Sequence, residues 1–111
     1  MKHVDKGWGY ERWIHNSSLY CGKLLYFYAR KRCSLHYHKL KHETFYVGSG
    51  KILLRWGTNE NDLQEKIMMK GDIHEVPPMQ VHQMIALEDT ELYEFSTQHF
   101  DEDSYRLVKG D

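Results

Sequence analysis

The sequence predicts an all-β chain of the sandwich or barrel type. Three observations carry this expectation. Roughly eight to ten short runs rich in β-branched and aromatic residues recur at regular spacing. Clusters of Gly, Pro, Asn and Asp separate them. No segment shows a helical period. With 111 residues the chain suits a single domain, residues 1–111.

The strands follow in order. Lys23–Arg30 alternates two faces, with Leu24, Tyr26 and Tyr28 on one and Leu25, Phe27 and Ala29 on the other. "ETFYVGSG" stops at Gly48 and Gly50, and "GKILLRWG" follows directly. Ser49-Gly50 is therefore expected to close a tight hairpin. A polar turn surrounds Asn59 to Asp62. "QEKIMM" and "DIHEV" flank a second turn at Lys70-Gly71-Asp72. Pro77-Pro78 ends that run, because proline cannot continue a central strand. "VHQMIAL" and "ELYEFST" are joined through Glu88-Asp89-Thr90, and "DEDSYRLVKG" is expected to form one turn of helix.

Composition narrows the function classes. Fifteen basic residues balance sixteen acidic ones, for a net charge of −1. That leaves no electrostatic footprint for nucleic acid or an anionic membrane. No apolar run approaches the ~18 residues of a membrane span, and the N-terminal stretch has no signal-peptide core. Cys21 and Cys33 lack CxxC spacing and read as reduced, packed thiols of a cytoplasmic protein. Arg30-Lys31-Arg32 reads as a solvated strand end, with an anion contact near a site as the alternative.

The chemistry concentrates in "CSLHYHKLKHETFYVGSGK", Cys33 to Lys51. Residues i and i+2 of a strand share a face, so His36 and His38 project together. Glu43 opens the next strand, on the face of Phe45 and Val47. A short turn brings that face back over the two histidines, and two imidazoles and a carboxylate then converge as a metal site requires. His42 is an alternative to Glu43. His82, at the start of another strand, is a fourth candidate. His3, His15, His74 and His99 read as surface or hydrogen-bonded histidines unless another feature singles them out.

These residues resemble the cupin superfamily, whose first motif runs G-x5-H-x-H-x(3,4)-E-x6-G. His36, His38, Glu43 and Gly50 match it, with Arg30 where the first Gly stands. Gly71, Pro77 and His82 match the second motif, while Met79 replaces its second Gly and Ala86 its Asn. The resemblance implies a double-stranded β-helix, or jelly-roll, cupin barrel holding one divalent transition metal ion. Its implied ligands are His36, His38, Glu43 and His82. Three nitrogens and one oxygen suit Zn, Mn, Fe, Ni, Co or Cu.

"KGWGYERW", Lys6 to Trp13, looks like the W-G-x-E opening strand of small sugar-linked cupins, and "EFSTQHFDEDSYRL" resembles their closing strand and acidic tail. That group is similar to the isomerase domain of bifunctional mannose-6-phosphate isomerase/mannose-1-phosphate guanylyltransferases. The implied reaction is aldose–ketose isomerisation of a sugar or sugar phosphate through a metal-stabilised enediolate. His74 is the expected base, because it shares parity with Val76. Tyr26, Tyr28 and Tyr46 are expected to orient substrate hydroxyls. A cupin dioxygenase and a sugar-binding module without chemistry are the rival classes. A homodimer is also expected, with the N-terminal strand and its Trp8, Tyr10 and Trp13 against the partner's sheet.

Overall fold

The computed structural model describes residues 1–111, and its eleven strands form two antiparallel sheets. The first sheet begins as a meander, β1 (Lys2–Lys6), β2 (Gly9–Asn16) and β3 (Cys21–Phe27). It continues through β10 (Thr90–Ser96) and β5 (Glu43–Ser49) to β8 (Ile73–Val76). The second runs from β11 (Tyr105–Val108) through β4 (Leu35–Tyr37) and β9 (Val81–Ala86) to β6 (Lys51–Gly57) and β7 (Leu63–Met69). Between β10 and β11 lies one 3-10 turn, Asp101–Asp103. No helix is long and apolar enough to cross a membrane.

Strand alternation decides what fills the barrel. β3 buries every second residue, so Cys21, Lys23, Leu25 and Phe27 point inward. β5 and β10 do the same with Glu43, Phe45 and Val47 and with Leu92 and Glu94. The apolar part of this set meets Ile52, Leu54, Met68, Val76 and Met84 in one core. Trp8 joins it, stacked on Phe27 at 4.1 Å between ring centroids. Burial of such aromatics contributes about 1.5–3 kcal/mol each relative to exposure.

One expectation is corrected here. Ser49-Gly50 does not close a hairpin, because β5 and β6 belong to different sheets. The chain turns a corner at Gly50, with φ +90°, and a Cβ there would lie 2.2 Å from the Asp89 carbonyl oxygen. Positive φ and this close approach both select glycine. The single turn of helix expected in residues 101–110 is the 3-10 turn Asp101–Asp103, and Tyr105–Val108 beyond it is a strand paired with β4. Tyr105 stacks on Tyr37 at 5.2 Å, a cross-strand pair that favours the extended form.

The N-terminal residues also sort differently from the expected interface. Gly7-Trp8 turns β1 back on β2, so the W-G-x-E stretch, Trp8 to Glu11, opens the second strand of a hairpin. Trp8 is buried in its own barrel, Trp13 faces an internal cavity and Tyr10 stacks on Tyr26 outside. Cys21 and Cys33 are free thiols, both buried. Arg30, Lys31 and Arg32 are exposed and take no part in that cavity.

Candidate metal centre

The two sheets bring the histidines and Glu43 together from opposite walls. His36 on β4 pairs across the strands with His82 on β9. His38 follows β4, and Glu43 opens β5 in the other sheet. One ring nitrogen each from His36, His38 and His82 lies within 4.8 Å of the others, a spacing that can hold an ion. Glu43 Oε1 sits 3.2 Å from His82 Nε2 and 3.4 Å from His38 Nε2. His42 stays outside, exposed and paired with Glu75 at 2.6 Å, which removes it as a rival to Glu43.

The other ring nitrogens fix the tautomers. His36 Nδ1 meets the Ser34 carbonyl at 2.8 Å, His38 Nδ1 the Asp103 carbonyl at 2.8 Å, and His82 Nδ1 the Gln80 carbonyl at 3.0 Å. A carbonyl oxygen only accepts, so each Nδ1 donates its proton and each Nε2 presents a lone pair. Backbone carbonyls behind the ring are the usual orienting partners of metal-bound histidine. His82 Nε2 and Glu43 Oε1 are buried and have no hydrogen-bond partner. Two acceptors thus face each other at 3.2 Å, an arrangement that a cation between them relieves. The donor set fits a divalent transition ion on this ground.

Charge around the cluster is arranged for an ionised Glu43. Burial opposes ionisation, yet the Lys41 charge stabilises the carboxylate, and the carboxyl is held well below the usual range. Lys41 Nζ lies 3.6 Å from Glu43 Oε2 and 2.9 Å from Glu94 Oε2, which leaves Oε1 for the imidazoles. Burial pushes His36 far below the ordinary histidine value, and the neighbouring His82 and His38 add to the shift. A neutral imidazole is the form that binds metal.

Asp103 builds the turn that carries these groups. Its buried carboxylate accepts from the backbone N–H groups of Lys39, Leu40 and Lys41 at 2.9–3.2 Å. Its carbonyl orients His38. One residue of the 3-10 turn thereby fixes both a histidine and the lysine beside Glu43.

A cavity of about 530 Å³ opens onto this cluster. His36, His38 and Glu43 line it together with Glu11, Trp13, Lys23, Lys41, Glu94 and His99. Lys23 Nζ pairs with Glu11 at 3.4 Å and stands 4.2 Å from the Trp13 ring centroid. Burial opposes ionisation of Glu11, but Lys23, with help from the Trp13 indole N–H and Lys6, holds its carboxyl below the usual value. His82 is fully buried and closes the cluster away from the open side.

The remaining sequence candidates lie elsewhere. His74 is buried as parity required, but its Nε2 meets Gln80 at 2.9 Å, its ring packs 5.0 Å from Trp56, and it does not line the cavity. Tyr26, Tyr28 and Tyr46 stand on the outer face of the first sheet, because the inward parity belongs to Leu25 and Phe27 on β3 and to Phe45 on β5. Sequence reading missed Glu11, Lys23, Lys41 and Glu94. A signal existed for two of them: Lys23 shares the parity of Leu25 and Phe27, and Glu94 that of Leu92. A charge on an apolar strand face marks a polar patch inside a barrel.

Comparison with solved structures settles the architecture. CapF from Staphylococcus aureus, a capsular polysaccharide assembling protein, superposes with a TM-score of 0.82 at 20% identity over 96% of this chain. KdgF from Halomonas sp. gives 0.79 at 15% over 92%, and oxalate decarboxylase from Bacillus subtilis 0.85 at 18% over 96%. This is the cupin fold. The chain spans 32% of CapF and 30% of oxalate decarboxylase, but 90% of KdgF. No family model matches this cupin-fold chain, and no curated protein does.

Proposed function

We propose that this cupin-fold chain is a metal-dependent enzyme acting on a small, oxygen-rich, sugar-like substrate, with aldose–ketose isomerisation as the reaction. The facing lone pairs of Glu43 Oε1 and His82 Nε2 carry the metal part of this reading. His36, His38, Glu43 and His82 would hold the ion, which supplies Lewis acidity toward a carbonyl and an adjacent hydroxyl. The cavity walls carry the substrate part. Lys23, Lys41, Glu11 and Glu94 offer donors and acceptors to hydroxyls, where an apolar dioxygenase substrate would meet buried charge. Two structural neighbours bear names that point to oxygen-rich ligands, capsular polysaccharide and oxalate. The W-G-x-E resemblance adds to this, since its Glu11 faces the cavity.

Isomerisation needs a base that takes the proton between the two carbons. Glu11 is better placed than His74, because it is an ionised carboxylate on the cavity wall. Lys23 beside it keeps it charged and orients it. The binding module without chemistry predicts that Glu11 contributes only affinity.

The test is elemental analysis of the purified protein followed by a screen of sugars, sugar phosphates and sugar acids, with and without chelator. Chelator-sensitive interconversion of an aldose and its ketose supports the proposal. Glu11→Gln should then lower kcat by about 10²–10⁴-fold, the usual scale of acid–base catalysis, with metal content unchanged. Failure to load any divalent ion sinks the metal reading. Binding of sugars with no turnover reduces the chain to a binding module.

A further inference from the structure

Lys41 offers no ligand to the histidine cluster, yet it is fixed beside it at both ends. Its backbone N–H donates to Asp103 Oδ2 at 3.0 Å. Its ammonium donates to Glu94 Oε2 at 2.9 Å, and that oxygen also accepts from Ser96 Oγ at 2.8 Å. Lys41 is 2% exposed and Glu94 4%. The head group stands 3.6 Å from Glu43 Oε2. Burial opposes its charge, yet the carboxylates of Glu94 and Glu43 keep its pKa above the ordinary lysine value. Ordering a long side chain and burying its charge both cost free energy, and an apolar residue on the barrel wall would avoid both.

We propose that Lys41 is a positioning residue that holds Glu43 to ligation through one oxygen, so that a bound ion keeps two positions open rather than one. This rests on the metal reading above and adds to it the number of positions left for substrate. The two carboxylate oxygens of Glu43 are unequal. Oε1 faces His82 Nε2 at 3.2 Å and His38 Nε2 at 3.4 Å and has no hydrogen-bond donor. Oε2 faces the ammonium, which Glu94 anchors on that side. A carboxylate binds an ion through one oxygen or through both. Ligation through both draws the ion toward a fixed cation, and like charges repel strongly in a poorly screened interior. Ligation through Oε1 alone leaves the ammonium to neutralise the oxygen that the ion does not use. Nitrogens of His36, His38 and His82 with Glu43 Oε1 then leave about two positions of an octahedral ion, whereas both oxygens would leave about one. Two neighbouring positions are what a carbonyl and its adjacent hydroxyl require for joint polarisation.

Water-proton relaxation of the full chain loaded with a paramagnetic ion tests this, because the enhancement per bound ion scales with the number of waters directly on it. Mn(II) is the first probe. Cu(II) replaces it if manganese does not load, since nitrogen and oxygen sites bind copper at least as tightly as zinc. Lys41→Met keeps the length of the side chain and removes its charge. It should lower the relaxivity per bound ion to about half that of the wild type, as the inner-sphere waters fall from about two to about one. A lysine with a merely structural role changes melting temperature and metal content but not this ratio. Should Lys41→Met misfold with two buried carboxylates unpaired, Lys41→Met combined with Glu94→Gln removes cation and anion together and should show the same fall. Glu94→Gln alone retains the ammonium and should keep the wild-type ratio; a fall equal to that of the double variant assigns the effect to Glu94 and overturns the proposal. An unchanged ratio in the folded lysine variant, single or double, overturns it too and leaves the metal reading standing. A wild type that loads no divalent ion sinks the metal reading itself, and the role of Lys41 with it.

Discussion

His82 shows how much one side chain decides. It is fully buried, its Nδ1 is committed to the Gln80 carbonyl, and its Nε2 has only Glu43 Oε1 before it. His82→Ala removes a nitrogen donor and should lower metal content together with the melting temperature of the metal-loaded protein; plasma emission spectroscopy and calorimetry read the two effects. Retention of full metal content by this variant excludes His82 as a ligand. His99 makes a separate prediction about acid. Burial, with the charges of Lys41 and Lys23, pushes it down to about 4, against an unfolded value near 6.5. The unfolded chain then binds the proton more readily. The stability tied to neutral His99 is therefore full above pH ~6.5 and is lost as pH falls from there through about 4. His99→Phe should flatten the pH dependence of urea unfolding in that window, and an unchanged curve shows that His99 is not responsible.

Strands were legible in the sequence, but the sheet each joins was not. Alternation at Lys23–Arg30 and Glu43–Gly50 located β3 and β5 and separated their two faces, but it did not tell which face of β3 is inward: Tyr26, Tyr28 and Tyr46, expected at the substrate, stand on the outer one. It could not show that β5 and β6, one residue apart, pair with different partners. A turn motif reports local backbone geometry, whereas sheet membership depends on strands distant in the chain, here Thr90–Ser96 for β5 and Val81–Ala86 for β6. The same limit hid Asp103, whose three backbone partners lie more than sixty residues away. The corner and the clamp each allow a test. Gly50→Ala forces a Cβ toward the Asp89 carbonyl at a positive φ. It should cost about 1–3 kcal/mol or more, whereas a hairpin glycine in open space would cost less. Asp103→Ala leaves three backbone donors without an acceptor. Hydrogen bonds to a charged group are worth about 1.5–3 kcal/mol, so a fall of ~10 °C or more in melting temperature is expected for a chain of this size. Metal affinity should fall with it, because His38 loses its anchor. A variant that keeps both values denies Asp103 its positioning role.

At the scale of the whole molecule, the candidate ligands join the two sheets. His36 and His82 belong to one and Glu43 to the other, with His38 just beyond β4. The motif residues were readable in order along the chain, but their convergence was not, because it depends on how the sheets face each other. The charges around them were hidden for the same reason: Lys41 reads as a loop residue until Glu94, fifty-three positions later, is seen beside it. An ion bound between the walls stabilises the folded chain alone, since the unfolded chain does not assemble the site. Hundredfold excess of metal over its Kd then adds about 2.7 kcal/mol. At about 4–8 °C per kcal/mol for a domain of this size, the melting temperature should rise by roughly 10–20 °C. Because the ligands span both sheets, the shift should be the same by near-ultraviolet and far-ultraviolet dichroism. Acid should remove it, since protons compete for the histidine nitrogens that hold the ion. Titration of the metal-free protein with Zn, Mn, Fe, Ni, Co and Cu in turn ranks the ions by this shift. If none of them moves the transition, while the protein is folded and monodisperse, the cluster is a hydrogen-bonded histidine core and no metal centre.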